Sequence, residues 1–155
     1  MGRGGAMSVD EAVKELVEAA QLAKGNAYAP YSRFAVGAAV RLTDGTIIGA
    51  ANFENASYGL SLCAETVALA AANAQGRLGD VEAIAVVGGD TAPVTPCGRC
   101  RQILNEAEQV AARPIAIYCA TRGDDSVVTY SVAELLPFAF GTKDLGCTSS
   151  RTSQE

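Results

Sequence analysis

Histidine is absent from this 155-residue chain, and charged residues are few, at 19%. Without histidine there is no Ser-His-Asp triad, no Cys-His nucleophile pair and no imidazole metal ligand. A proton shuttle has to be Asp, Glu, Lys, Tyr or Cys. A transition-metal site has to rest on cysteine, with or without carboxylates. Cations are also short: 12 Lys and Arg against 17 Asp and Glu leave a net charge of −5. That balance disfavours nucleic acid or an anionic membrane surface as partner. Aromatic residues make up 6%, which is thin for stacking the bases of a polynucleotide. No apolar run reaches the ~18 residues of a membrane-spanning helix.

What is present describes one ordinary globular domain. Hydrophobic residues make up 49%, and a chain near 150 residues buries enough surface to fold without disulfides. The opening Met1-Gly2-Arg3-Gly4-Gly5-Ala6-Met7 lacks the apolar centre of a signal peptide and reads as a flexible lead, 1–7. The polar, aperiodic end reads as a loose tail, 147–155. Between them, 8–146 is expected to form the folded domain. A cytoplasmic location follows as an expectation, and there the five cysteines suggest metal binding or catalysis more than a disulfide framework.

Ser8-Val9-Asp10-Glu11 has capping-box spacing, and apolar residues then recur at helical spacing to Gly25, predicting a helix over 8–24. The small apolar stretch 34–42 suits a buried strand. Asp44-Gly45 marks a hairpin turn into a second strand, 46–51. The polar stretch 52–62 reads as loop, and the alanine-rich 63–75 as a buried helix closed by Gly76. A strand is predicted at 81–87, and Pro96 opens a helix over 97–110. Short strands at 114–119 and 127–130 precede a last helix capped at Ser131. The order is α-β-β-α-β-α-β-β-α, which favours a sheet covered by helices on both faces.

Two of these helices begin at cysteine, where free N–H groups and the helix dipole stabilise thiolate. Cys97-Gly98-Arg99-Cys100 alone fits a redox dithiol, half a zinc ribbon or coincidence. A structural zinc ribbon needs a second pair, and only the isolated Cys63, Cys119 and Cys147 remain. Three cysteines suit a catalytic zinc with an open fourth position, and Cys63 is the natural third because Glu65 stands two residues on. The run Cys63-Ala64-Glu65 followed by Pro96-Cys97-Gly98-Arg99-Cys100 matches the zinc-deaminase signature in its three-cysteine form, with a glutamate that is not a ligand. Cys119, in a strand, reads as a small buried hydrophobe.

The chain resembles the small cytidine deaminases over roughly residues 8–146. The resemblance rests on Pro30-Tyr31-Ser32-Arg33-Phe34-Ala35-Val36-Gly37-Ala38-Ala39, on Asn52-Phe53-Glu54-Asn55-Ala56-Ser57-Tyr58-Gly59, on both cysteine motifs, and on Leu135-Leu136-Pro137-Phe138-Ala139-Phe140-Gly141. It implies a three-layer α/β/α fold with a mixed five-stranded sheet. It implies one Zn²⁺ per subunit on Cys63, Cys97 and Cys100, with Glu65 as acid and base. Water activated there would attack C4 of cytosine, while Glu65 protonates ring N3 and helps expel ammonia. Asn52 and Glu54 would hold the ribose 3′-hydroxyl, and Phe34 would pack on the pyrimidine. The Ala64 N–H would meet the base carbonyl, and the Thr95 carbonyl the leaving amine. Ala56 and Tyr58 would reach a neighbouring subunit's site in a homotetramer, and Phe140 would close the pocket. The implied substrate is a free pyrimidine nucleoside, cytidine or 2′-deoxycytidine, in pyrimidine salvage.

Two readings compete with this one. A deaminase of a cytosine-containing antibiotic nucleoside shares the cysteine core, although Asn52 and Glu54 favour ordinary nucleosides. A non-catalytic zinc or dithiol protein accounts for the cysteines alone. One departure stands out: many relatives carry arginine directly after the glutamate, and here the residue is Thr66. Three thiolates and Zn²⁺ sum to −1, so the two helix N-termini, with Arg99 or Arg101, are expected to offset that charge.

Overall fold

The computed structural model describes residues 9–121 and 126–147. The expected lead, the cap at Ser8 and the tail from 148 on lie outside the described residues. Helix α1 spans Val9–Lys24 and buries Leu16 and Ala20. Strands β1 (Gly37–Leu42) and β2 (Ile47–Ala51) form the expected hairpin. Its turn is held by the Thr46 N–H donating to Asp44 Oδ1 at 2.9 Å, with Gly45 at φ +87°, a left-handed conformation that glycine adopts without a Cβ clash. Helix α2 (Ala64–Ala74), strand β3 (Val81–Val87) and helix α3 (Gly98–Ala111) follow. Strands β4 (Ala116–Ala120) and β5 (Val127–Tyr130) then lead to the short α4 (Val132–Leu135), capped by Ser131 and Glu134 in a reciprocal box.

The strands pair in the order β2-β1-β3-β4-β5, with β3 and β4 parallel and the other pairs antiparallel. Strand alternation sends side chains to opposite faces. On one face Ala38, Val40, Leu42, Ile84, Val86 and Ile117 pack against Ala68, Leu69 and Ala72 of α2 and Leu104 and Ala107 of α3. On the other, Ala39, Ala83, Ala85 and Val87 meet Leu16 and Ala20 of α1. This is the expected three-layer α/β/α arrangement. The alanine-rich strands let α1 lie close: a Cβ on Gly37 would sit 2.0 Å from the Ala20 carbonyl oxygen.

Two strand starts differ from expectation by more than one residue. The strand expected at 34–42 begins only at Gly37. Arg33 takes a left-handed φ of +56°, and side chains replace the ladder partners of the next residues. The Phe34 N–H donates to Ser32 Oγ, the Phe34 carbonyl accepts from Asn52 Nδ2, and the Val36 N–H donates to Asn52 Oδ1. The strand expected at 114–119 starts at Ala116. Pro114 has no N–H to offer, and the Ile115 N–H donates instead to Glu108 Oε2 at 3.0 Å.

Candidate active site

The parallel β3–α3–β4 crossover sets the N-terminus of α3 beside that of α2. Each helix opens on a cysteine in extended conformation: Cys63 at φ −70°, ψ 152° and Cys97 at φ −65°, ψ 166°. Neither sulfur caps its own helix, so both are free to face elsewhere. Cys100, the third residue of α3, is fully buried beneath them. The three Sγ atoms lie within 4.8 Å of one another, and Cys63 and Cys97 are 3.7 Å apart. A tetrahedral ion with Zn–S bonds of about 2.3 Å holds its sulfurs about 3.8 Å apart. The donor set therefore fits zinc in number, softness and spacing.

The electrostatics of the cluster are those of sulfurs sharing protons. The pKa of the Cys63 thiol is lowered to about 6, chiefly by the neighbouring Cys100 sulfur, with Cys97 and the Arg99 charge adding and burial opposing. Cys100 is pushed up as the partner that keeps its proton for Cys63, and by burial. Glu65, the second residue of α2, is only 4% exposed. Burial is the largest influence holding its carboxyl above the ordinary value, and the Cys63 charge adds to it. Burial of this kind favours the protonated over the charged carboxyl.

Beside the sulfurs lies a cavity of about 330 Å³. Cys63, Ala64, Glu65 and Cys97 form its floor, Phe34, Asn52 and Glu54 one wall, and Val94 and Thr95 another. Phe34 is 46% exposed on that wall, not packed into the core as a strand residue would be. The Ala64 N–H belongs to the first turn of α2, where backbone donors lack intrahelical partners. Glu54 accepts from the Tyr31 and Ser32 N–H groups, at 2.9 and 3.2 Å, and from the Ser32 hydroxyl. The Ser32 hydroxyl is the main cause that holds its carboxyl below the ordinary value. Both polar ends of the Asn52 amide are engaged with the 34–36 backbone.

Other expected residues sit apart. Tyr58 is 76% exposed, against Tyr31, and borders a second hollow of about 260 Å³ shared with Ser32, Glu54 and Ser61. Ala56 is exposed on the same loop. Phe140 is 59% exposed and borders neither hollow; its carbonyl accepts from Gln102 and Asn105. The two candidate charge-balancing arginines part company. Arg99 donates to the Ser61 carbonyl and its charge reaches Cys63. Arg101 donates to the Pro96 and Leu135 carbonyls and to Thr95 Oγ1, at 2.7, 2.9 and 2.9 Å, and so braces the cavity wall instead of facing sulfur. Thr66, noted from the sequence only for the charge it lacks, has its hydroxyl 3.6 Å from Cys100 Sγ. The available signal was spacing: Thr66 lies three residues after Cys63, on the same side of a helix.

Comparison with known proteins agrees with this geometry. Residues 10–116 match the family described as the cytidine and deoxycytidylate deaminase zinc-binding region. A cytidine deaminase of Halalkalibacterium halodurans is 47% identical over 131 residues, covering 84% of this chain and 95% of the relative. One from Mycobacterium tuberculosis is 44% identical, covering 82% of this chain and 87% of the relative. Among solved structures, the crystal structure of cytidine deaminase from Burkholderia pseudomallei superposes with a TM-score of 0.75 at 44% identity, over 86% of this chain and 100% of that one.

Proposed function

The chain belongs to the cytidine and deoxycytidylate deaminase zinc-binding family, and from that premise we propose that it hydrolyses cytidine and 2′-deoxycytidine to the corresponding uridines, releasing ammonia. The observation that carries this reading is the meeting of three sulfurs at zinc-binding distance beside a cavity that Cys63, Cys97 and the buried Glu65 line. The cavity volume falls within the range of small-molecule sites, about 300–1,000 Å³.

Cys63, Cys97 and Cys100 hold the ion. Zn²⁺, when bound, supplies a Lewis-acid centre that brings the pKa of a water towards ~7. Replacing the exocyclic amine at C4 by oxygen moves both protons of the attacking water: one ends on ring N3, where the product keeps it, and the other leaves with the amine as ammonia. Glu65 carries them in turn, the first from water to ring N3 and the second from the new C4 hydroxyl to the amine. Its placement supports the role, because a carboxyl 4% exposed beside the sulfurs meets the substrate with little competing water. The Ala64 N–H donates to the base carbonyl, the Thr95 carbonyl accepts from the amine, and Phe34 packs on the pyrimidine. Glu54 and Asn52 take the ribose 3′-hydroxyl at the outer wall.

The assembly belongs to the same proposal. Ala56, Tyr58 and Phe140 are exposed in the single chain, which suits residues that complete a neighbouring subunit's site in a homotetramer. The cellular role is pyrimidine salvage on free nucleosides in the cytoplasm. The test is loss of cytidine absorbance in the ultraviolet, measured beside zinc stoichiometry and light-scattering mass. One zinc per chain with turnover of cytidine is expected. A zinc-loaded protein inert to cytidine and 2′-deoxycytidine overturns the reading.

A further inference from the structure

The three sulfurs differ in how their negative charge is met. Cys97 is exposed, and Cys63 is partly exposed with the Arg99 charge in reach. Cys100 is sealed at 0% exposure, with Cys63 and the Glu65 carboxyl facing it. A buried anion without a hydrogen-bond donor is strongly disfavoured. The nearby guanidinium groups do not serve it, since Arg101 is held by Pro96, Leu135 and Thr95, and Arg99 donates to Ser61. Among the described residues, the side chain that reaches Cys100 besides Cys63 and the Glu65 carboxyl is Thr66, its hydroxyl 3.6 Å from Sγ.

A helical threonine hydroxyl ordinarily turns back to the carbonyls three or four residues earlier. Here the Thr66 hydroxyl lies against the Cys100 sulfur instead. A ligand sulfur has no proton, so the hydroxyl must be the donor.

We propose that Thr66 is a positioning residue of the metal centre, its hydroxyl donating to the Cys100 thiolate and drawing electron density from that sulfur so that the bound ion stays a stronger Lewis acid. Partners of metal ligands tune both geometry and electron donation in this way. The proposal rests on the zinc-deaminase reading above and deepens it.

The test loads one Co²⁺ per chain into the wild type and into Thr66→Ser, Thr66→Val and Thr66→Ala. The near-ultraviolet sulfur-to-cobalt charge-transfer band is then recorded beside cytidine kinetics with the zinc forms. Removing the donor raises the energy of the sulfur lone pair. The band of T66V therefore moves to longer wavelength, while T66S keeps the wild-type position. With zinc, kcat of T66V falls about 10-fold, with KM close to wild type. T66A carries the same comparison where the valine variant does not fold. A T66V or T66A band at the wild-type wavelength overturns the proposal, as does a T66S band that groups with T66V. A wild type with no sulfur-to-cobalt band overturns the zinc-thiolate reading itself, which separates the two failures.

Discussion

Glu65 and Glu54 line one cavity and are pushed in opposite directions. Glu65 sits at the floor, in the first turn of α2, and burial raises its pKa. Glu54 sits at the outer wall, where three donors from Tyr31 and Ser32 surround it and lower its pKa. The same side chain is biased towards its protonated form where water is excluded and held as a charged acceptor where N–H and O–H groups converge. The two regions are also built differently. The floor hangs on two helix N-termini packed against the sheet. The wall hangs on loop segments tied together by the Asn52 amide and the Glu54 carboxylate.

The largest expected effect lies at the floor. Glu65→Gln should keep one zinc per chain, measured by metal analysis, and lose roughly 10²–10⁴ in kcat as a general acid–base group does. Near-normal turnover in that variant would erase the contrast between the two carboxylates. Glu54→Gln should lose less, roughly 10-fold in kcat/KM for cytidine, consistent with a hydrogen bond to a charged group, with zinc content unchanged. A loss as deep as that of Glu65→Gln would mean that the wall takes part in proton transfer.

Asn52→Ala should act through Phe34. It removes both ties to the 34–36 backbone, so thermal stability drops by about 1–3 kcal/mol, and KM rises more than kcat falls. An unchanged melting temperature would show that this amide does not hold the wall. The smallest effect concerns pH. Glu54 is held below its ordinary 4.5, so its contribution to stability is present above about pH 4.5 and is lost as pH falls through the folded value. The gap in urea midpoint between wild type and Glu54→Gln should narrow on acidification. A gap that widens instead would reverse the assigned direction.

Much of the frame was legible along the chain. Apolar periodicity and turn residues located the helices and strands to within a few residues, because a local pattern of period 2 or 3.6 reports which face is buried. The spacing Cys63, Glu65, Cys97, Cys100 announced its chemistry because these residues sit in two short local motifs. The start of β1 was misplaced because the bonds that replace its ladder come from Asn52 and Ser32, on neighbouring loop segments. Arg101 was considered as a charge partner of the sulfurs, yet its hydrogen bonds reach α4 and the Pro96 segment, contacts that no local spacing encodes. Thr66 was read by the charge it lacks, since a hydrogen bond to Cys100 depends on how α2 and α3 abut.

By itself, then, the sequence determined the chemistry available: with no histidine, sulfur alone among the usual soft donors could hold a transition metal, and a carboxylate was left to move protons. The tertiary structure decided how that chemistry is poised. Burial depth separates Glu65 from Glu54, the contact of two helix ends sets the sulfur spacing, and the sealing of Cys100 makes a neighbouring hydroxyl matter. Desolvation and distance act through space, and only the packing of α2, α3 and the loops against the sheet assigns them.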